Sequence, residues 1–384
     1  MTAWLNTNAP QETGGGAWPG IIADTIATRD LPKTAEFAEF KPVTPSTASD
    51  ELDYSKSTTF LRRKIAIVGN FACTLAGHSE HISTVLKEAR FKIDDGLNGA
   101  DFASWLCEAV NRFNQSSKLS GRRGVIELCG VVPEPGSFVT TVLTSYPVET
   151  TQFGMCHFGG SGAEELKAHV LRLDGKSTFS NKSGYWRTHE LGVLLNGQRF
   201  FEEIGGGTAP HWGGCFESVC WSGKSKGWEW GPSQLHMSAF AATCGPHAGH
   251  VNLTNRGFAY DPQGRFARLL SYHNALPTGS ATQWIIHDLL QENLEPDVGI
   301  EYWSKWKADV ITLTVGTLLP TRKINVSSHY LDWSDVFWEF SGDRFGISPK
   351  VSALDRVSKS IMDRYGIQYK GPSTQGFGLR RMEN

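Results

Sequence analysis

The chain has 384 residues, an apolar share of 40%, a charged share of 20% and a formal net charge of -2. Its length exceeds the usual single core, so one large elaborated domain or two domains are expected, and the near-neutral charge argues against a nucleic-acid partner. No apolar run reaches membrane-spanning length, and no basic segment leading into an apolar one opens the chain as a secretion signal would. Seven cysteines, odd in number and scattered through apolar segments, read as reduced thiols of a cytoplasmic protein.

In chain order, the first informative residue is Thr2. Methionine aminopeptidase tolerates a residue of this size after Met1, so Thr2 can become the free N-terminus. Its hydroxyl and its α-amino group would then supply a nucleophile and a base on one residue. An α-amino group titrates near pH 8, about two units below a lysine, so much of it is neutral and able to accept a proton. Residues 3–5 and 20–23 read as two strands of a hairpin that returns the chain near Asp24 to the neighbourhood of Thr2. Residues 29–58, rich in Pro, Thr, Ser and acidic side chains, read as a long surface insertion of the kind that serves as a lid or binding loop.

A second hairpin is expected over residues 65–77, turning at Gly69 and Asn70. A helix from Ser79 follows, with Ile82, Val85, Leu86 and Ala89 on one face, and a second helix over residues 99–113. Strand-like runs come at 125–131, 138–143 and around 154–156; a helix starts after Gly162, and two further helices lead to another strand region at 212–221. This order favours two sheets with helices on their outer faces, a four-layer α+β sandwich, over a parallel βαβ sheet. After about Asn252 the chain offers strands at 266–270 and 310–315, an aromatic-rich segment from Tyr302 to Phe340, and a polar tail from Gly371 that is expected to fray. The pattern there specifies no fold.

Several residues carry a resemblance. Thr2 stands where a nucleophile would; residues 20–28 run from an apolar strand into Asp24, Ala27 and Thr28; Lys64 precedes Ile65, Ala66 and Ile67; Leu75, Ala76 and Gly77 end a strand before a helix; and Gly160, Ser161 and Gly162 open a later one. In this order they resemble the proteasome β-type threonine hydrolases of the N-terminal-nucleophile superfamily, over about the first 240 residues. The resemblance implies a four-layer αββα domain at residues 2–245, interrupted by the insertion at 29–58, with a β-rich extension at 246–384. It implies an amide-bond hydrolase, a peptidase or acyl-amide hydrolase, with Thr2, Asp24, Lys64, Gly77 and Ser161 as catalytic residues. Ala27, Thr28, Ala66, Leu75 and Ser79 would bind substrate. No cofactor or metal is implied. A homo-oligomer is, and whether a separate unfoldase delivers substrate is left open.

The chemistry behind these roles is simple. A lysine ammonium beside Thr2 would stabilise an alkoxide-like hydroxyl and depress the α-amino pKa, and Asp24 would hold that lysine in place. Arg63 is the alternative occupant of the lysine position, although arginine cannot share its proton. The Gly77 N–H would face the oxyanion, a contact worth ~3 kcal/mol in comparable sites. The family's Asp and Ser before its penultimate strands have no counterpart here: the corresponding run is Ala209, Pro210, His211 and Trp212, so His211 or water would have to substitute. Loss of that pair also leaves open a non-catalytic scaffold that kept the fold.

Other constellations are weaker. Cys244, His247 and His250 have metal-type ligands at short spacing without a second cysteine pair. The glycine triplets at 14–16 and 205–207 lack the ending of a phosphate loop. His78 and His81 sit at a helix start, and the aromatic cluster after Tyr302 fits the core of the added region better than a carbohydrate site.

Overall fold

The structure, a computed structural model, describes residues 3–9, 18–28, 59–77, 79–119, 125–134, 137–143, 148–151, 153–173, 184–204, 214–263, 266–273, 280–288, 290, 301–321, 323–341 and 344–372. In chain order the strands of the first half are β1 (Trp4–Ala9), β2 (Trp18–Asp24), β3 (Ile26–Thr28), β4 (Thr59–Leu61), β5 (Ile65–Val68), β6 (Phe71–Ala76), β7 (Glu127–Glu134), β8 (Ser137–Leu143), β9 (Val148–Thr151) and β10 (Gly154–Gly159). They are interleaved with α1 (Ser79–Asp94) and α2 (Gly99–Leu119) and followed by α3 (Ala163–Arg172) and α4 (Gly184–Ile204). Then come β11 (Phe216–Ser222), β12 (Gly227–Trp230), β13 (Gln234–Ala242), β14 (His250–Gln263), β15 (Phe266–His273), β16 (Ser280–His287), α5 (Glu301–Lys305), β17 (Val310–Leu318), β18 (Ile324–Leu331), β19 (Val336–Ser341), β20 (Arg344–Pro349), α6 (Val351–Arg364) and β21 (Gly371–Pro372).

The expected hairpin shows how local sequence sets these elements. Gly69 takes φ +60°, a left-handed conformation that glycine adopts without a Cβ penalty, and the chain reverses so that Val68 faces Phe71 and Ile65 faces Thr74. Period-two alternation then sorts the side chains. Ile65, Ala72 and Ala76 point to a core shared with Trp4, Ile21 and Ala23 of β1 and β2. Ala66, Cys73 and Leu75 point the other way, onto Leu86 of α1 and Phe102 and Leu106 of α2. In β1, Trp4 takes the first core while Leu5 joins Leu166 of α3 and Leu191 and Leu195 of α4.

Five sheets result: a six-stranded one in the order β12-β11-β2-β1-β10-β9, a four-stranded one β5-β6-β7-β8, a seven-stranded one β16-β15-β14-β13-β17-β18 with β21 beside β14, and the pairs β3-β4 and β19-β20. The expectation of a four-layer αββα sandwich is therefore corrected: the chain is a strand-rich α/β mixture built from several sheets. The physical reason lies in α4. A four-layer sandwich would leave this helix on the outside, whereas it packs against β11 and β2 on one face and against β13, β17 and β18 on the other. Residues from Thr188 to Arg199 accordingly include buried Leu191, Val193, Leu195, Asn196 and Arg199 all round the helix. β13, which precedes the expected boundary at residue 245, is an interior strand of the seven-stranded sheet and runs parallel to β17.

Polar groups on an interior helix need partners. The Asn196 amide donates to the Phe216 carbonyl at 2.9 Å and to Gln234 Oε1 at 2.9 Å, and accepts the Phe216 N–H at 2.6 Å, so one side chain bonds β11 and β13 together. His189 Nδ1 lies 2.9 Å from Ser218 Oγ, and His236 lies 2.9 Å from Gln234 Oε1 and 2.7 Å from Thr312 Oγ1.

Both histidines are held neutral. Burial pulls the pKa from 6.5 to about 4 for His189, against a small opposing pull from Glu229, and to about 3 for His236. Between those values and 6.5 the unfolded chain binds the extra protons, so stability must fall as pH falls through that window. Down to pH 4 the expected loss is about 3 kcal/mol per histidine. Urea titrations at pH steps from 7 to 4 measure it, and the double variant His189→Gln/His236→Gln should show a flatter slope whatever its absolute stability.

Candidate functional site

Asp24 ends β2, and its side chain is fully buried. Its Oδ1 accepts two donors, the Lys64 ammonium at 2.5 Å and the Ala3 backbone N–H at 3.0 Å. The Asp24 N–H in turn donates to the Ala3 carbonyl at 3.0 Å, so carboxylate and backbone both grip the residue that follows Thr2. Lys64 precedes β5 and is 5% exposed. Burial lowers its pKa below the ordinary lysine value, and the Asp24 carboxylate opposes that only in part. The ammonium is thus brought closer to sharing its proton than a surface lysine is.

The neighbouring arginine turns the other way. Arg63 Nε donates to Glu217 Oε1 at 2.8 Å, the Tyr260 hydroxyl donates to the same oxygen at 2.5 Å, and the guanidinium lies 3.9 Å from the Trp230 ring centre. Consecutive residues of an extended segment face opposite sides, so only one of Arg63 and Lys64 can reach Asp24. The structure puts Lys64 there. Arg62 N–H donates to the Thr25 carbonyl at 2.7 Å, and Thr25 N–H to the Cys215 carbonyl at 2.9 Å, which pins the backbone on both sides of the pair.

Further strand ends meet at the same end of the sheets. Trp4 sits opposite Gly159, and a Cβ on Gly159 would lie 2.1 Å from the Trp4 ring, so the start of β1 runs against the end of β10. Ser161 follows in the turn before α3 and is exposed. Gly77 follows β6 with φ +146°, where a Cβ would meet the Val125 carbonyl at 2.9 Å. Ala76 pairs with Glu127, and the Glu127 carboxylate accepts the Gly160 N–H at 2.6 Å. Glu127 therefore links the Gly77 strand end to the turn that carries Ser161. Burial raises its pKa, with the Gly160 hydrogen bond pulling the other way. Sequence reasoning missed Glu127; the available signal was an acidic residue placed inside an otherwise apolar strand run.

Other expected residues lie elsewhere. Ala66 and Leu75 are 1% and 3% exposed in the core against α1 and α2, away from this strand-end cluster, because alternation turns them there. Ala27 and Thr28 lie on β3, where they face Phe60 and Thr59 of β4. The side chains of Ala27, Thr28 and Ser79 lie outside the described residues, as do Thr2, His78, His211 and the insertion at 29–58. His81 is buried with its ring 4.9 Å from that of Phe113. The aromatic cluster packs on itself, Trp303 against Trp306 at 5.0 Å and Trp306 against Trp338 at 5.4 Å, inside the core of the seven-stranded sheet.

No protein-family model matches the chain, and no curated protein sequence does. Among the described residues, no group of three or more His, Cys, Asp or Glu side chains is arranged to hold a metal ion, and no helix is long and apolar enough to cross a membrane. The cysteines are all free; burial raises the thiol pKa of Cys73, Cys129, Cys215 and Cys220 and disfavours the reactive thiolate.

Removing one member of a buried ion pair strands the other charge, at a cost of about 3–5 kcal/mol. Asp24→Ala is expected to lower the unfolding free energy by that amount, and Asp24→Ala/Lys64→Met to recover most of it. A double-mutant cycle by urea denaturation measures the coupling; additive losses would show that the two side chains do not interact.

Proposed function

We propose that the protein is an amide-bond hydrolase, a peptidase or acyl-amide hydrolase, that uses Thr2 as an N-terminal nucleophile freed by removal of Met1, in the manner of the proteasome β-type hydrolases it resembles. The observation that carries the reading is the Asp24 carboxylate, which holds the Lys64 ammonium and the Ala3 N–H at once. Thr2 is bonded directly to Ala3, whose N–H that carboxylate holds.

The chemistry runs as follows. The Thr2 α-amine accepts the hydroxyl proton as Oγ attacks the carbonyl carbon of the amide. Lys64 stabilises the developing negative charge on Oγ, and the Gly77 N–H receives the charge on the carbonyl oxygen. The amine then returns the proton to the leaving nitrogen, the C–N bond breaks, and an ester to Thr2 remains for water to hydrolyse. Ser161 and Glu127, linked through the Gly160 turn, are the candidates for the family's additional proton-network residues. A cytoplasmic homo-oligomer acting on peptide or small amide substrates belongs to the same proposal; the free cysteines support its cytoplasmic part alone.

A non-catalytic scaffold is the competing reading. It draws on the near-complete burial of Lys64 and on Ala66 and Leu75 lying in the core, as expected of a pair that only braces strand ends.

Intact-mass and N-terminal analysis of the native protein separates the two. The proposal expects Thr2 at the N-terminus and acylation by a β-lactone of one equivalent per chain, lost in Thr2→Ala while the thermal transition is retained. Retention of Met1 in protein that still hydrolyses amides, or undiminished labelling of Thr2→Ala, would refute it. Lys64→Met should slow labelling by about two orders of magnitude, since a charge stabiliser of the attacking oxygen is typically worth ~3 kcal/mol.

A further inference from the structure

A second feature lies away from the strand-end cluster and does not depend on Thr2. β18 is the outermost strand of the seven-stranded sheet; β17 pairs with one edge, and no described strand pairs with the other. A cavity of about 890 Å³ is lined by residues 325–330 of β18, by Glu190, Leu194 and Gln198 of α4, and by Arg356, Ser360 and Arg364 of α6. The two helices flank opposite faces of the strand. On one, a Cβ at Gly197 of α4 would lie 3.5 Å from Ser328 Oγ; on the other, the Asn325 amide donates to the Tyr365 hydroxyl just after α6 at 2.8 Å. A cavity that touches both helices and successive residues of the strand between them lies along the strand's edge.

We infer that this edge is a docking groove for an extended acidic segment of another protein, which adds to the sheet as an outer strand. Backbone pairing of this kind supplies affinity, and pockets for alternate side chains supply specificity. Residues 325–330 span roughly 20 Å, enough for about six peptide residues. Side chains of an added strand alternate between the two walls. The α4 wall offers Leu194, with Leu173 beside it, and one acid, Glu190, which is buried next to Tyr330. The Tyr330 hydroxyl pKa is raised by that burial and by Glu190. The α6 wall offers Arg356, Ser360 and Arg364, at helical spacing on one face. Arg356 holds Asp335 at 2.6 Å yet keeps its side chain 59% exposed, and Arg364 with burial holds His329 neutral, its pKa lowered to about 4. The matching segment alternates apolar residues, toward α4, with acidic ones, toward α6. A second copy of this chain is a poor occupant, because antiparallel pairing of two β18 edges would bring the two arginine rows onto one face.

Fluorescence anisotropy of the full chain with a labelled hexapeptide of alternating Leu and Glu tests the inference. Saturable binding in the micromolar range is expected, weakened at least about tenfold when Lys replaces Glu and in Arg364→Glu. Ser360→Glu, on the same wall, should weaken it similarly, and the thermal transition of each variant reports its folding. Two N-methylated peptides, modified at odd or at even residues, are decisive: a strand bonds its neighbour through alternate residues, so one set should abolish binding and the other leave it. Absence of saturable binding, indifference to Arg364→Glu and Ser360→Glu in folded variants, or equal behaviour of the two methylated sets overturns the inference.

Discussion

One buried carboxylate sets the geometry of the N-terminal end. Asp24 has no exposure to solvent, and a lone ion in that position would be costly by several kcal/mol. It is tolerated because two donors converge on Oδ1, one charged and one from the backbone. The pair therefore constrains three chain segments at once: the approach to β1, the end of β2 and the entry to β5. Movement of any of them leaves a buried charge without its partner, which is a steeper penalty than the loss of an apolar contact. The backbone of Ala3 is thereby held on both sides, by the Asp24 carboxylate and the Asp24 N–H.

Beside it sits a second buried ion pair with a different purpose. Arg63 and Glu217 share their oxygen with the Tyr260 hydroxyl, and Trp230 covers the guanidinium. Burial works against the charge of both Arg63 and Lys64, yet the outcomes differ. Glu217 and Tyr260 more than offset it for Arg63, whose pKa is raised, while Asp24 does not fully offset it for Lys64, whose pKa is lowered. The arginine is a fixed charge that joins β11 and β14 to the entry of β5; the lysine is the one whose proton is negotiable.

The sequence made part of this legible. Alternation around Gly69, the helical spacing of Val85, Leu86 and Ala89, and an aspartate ending an apolar strand are local signals, and the corresponding elements form where local physics puts them. Alternation also shows that Ala66 and Leu75 share a face, but not which face looks onto the site and which onto α1 and α2, since that depends on what packs there. The parallel pairing of β13 with β17 leaves no local trace, because the partners are some seventy residues apart. The same long-range contact puts a sheet over α4 and removes it from the surface. A helix with His189, Asn196 and Arg199 among its leucines does not announce burial on both sides; only the partners Ser218, Phe216 and Gln234 make it possible.

That arrangement also explains how the large sheet can end at β18 without inviting aggregation. A flat, exposed edge is a template for any other strand. Here α4 and α6 flank it, and residues of both helices line one cavity together with residues 325–330 of the strand. Along residues 325–330 its side chains are mostly polar, Asn325, Ser327, Ser328 and His329 beside Val326 and Tyr330, and the α6 arginines repel cationic or identical surfaces. Among the described residues, no strand other than β17 pairs with β18. At the opposite edge β16 lies against β4, whose own partner β3 carries Thr28. The sheet thus meets the N-terminal region through β4 at one edge, while α4 packs beside β18 at the other.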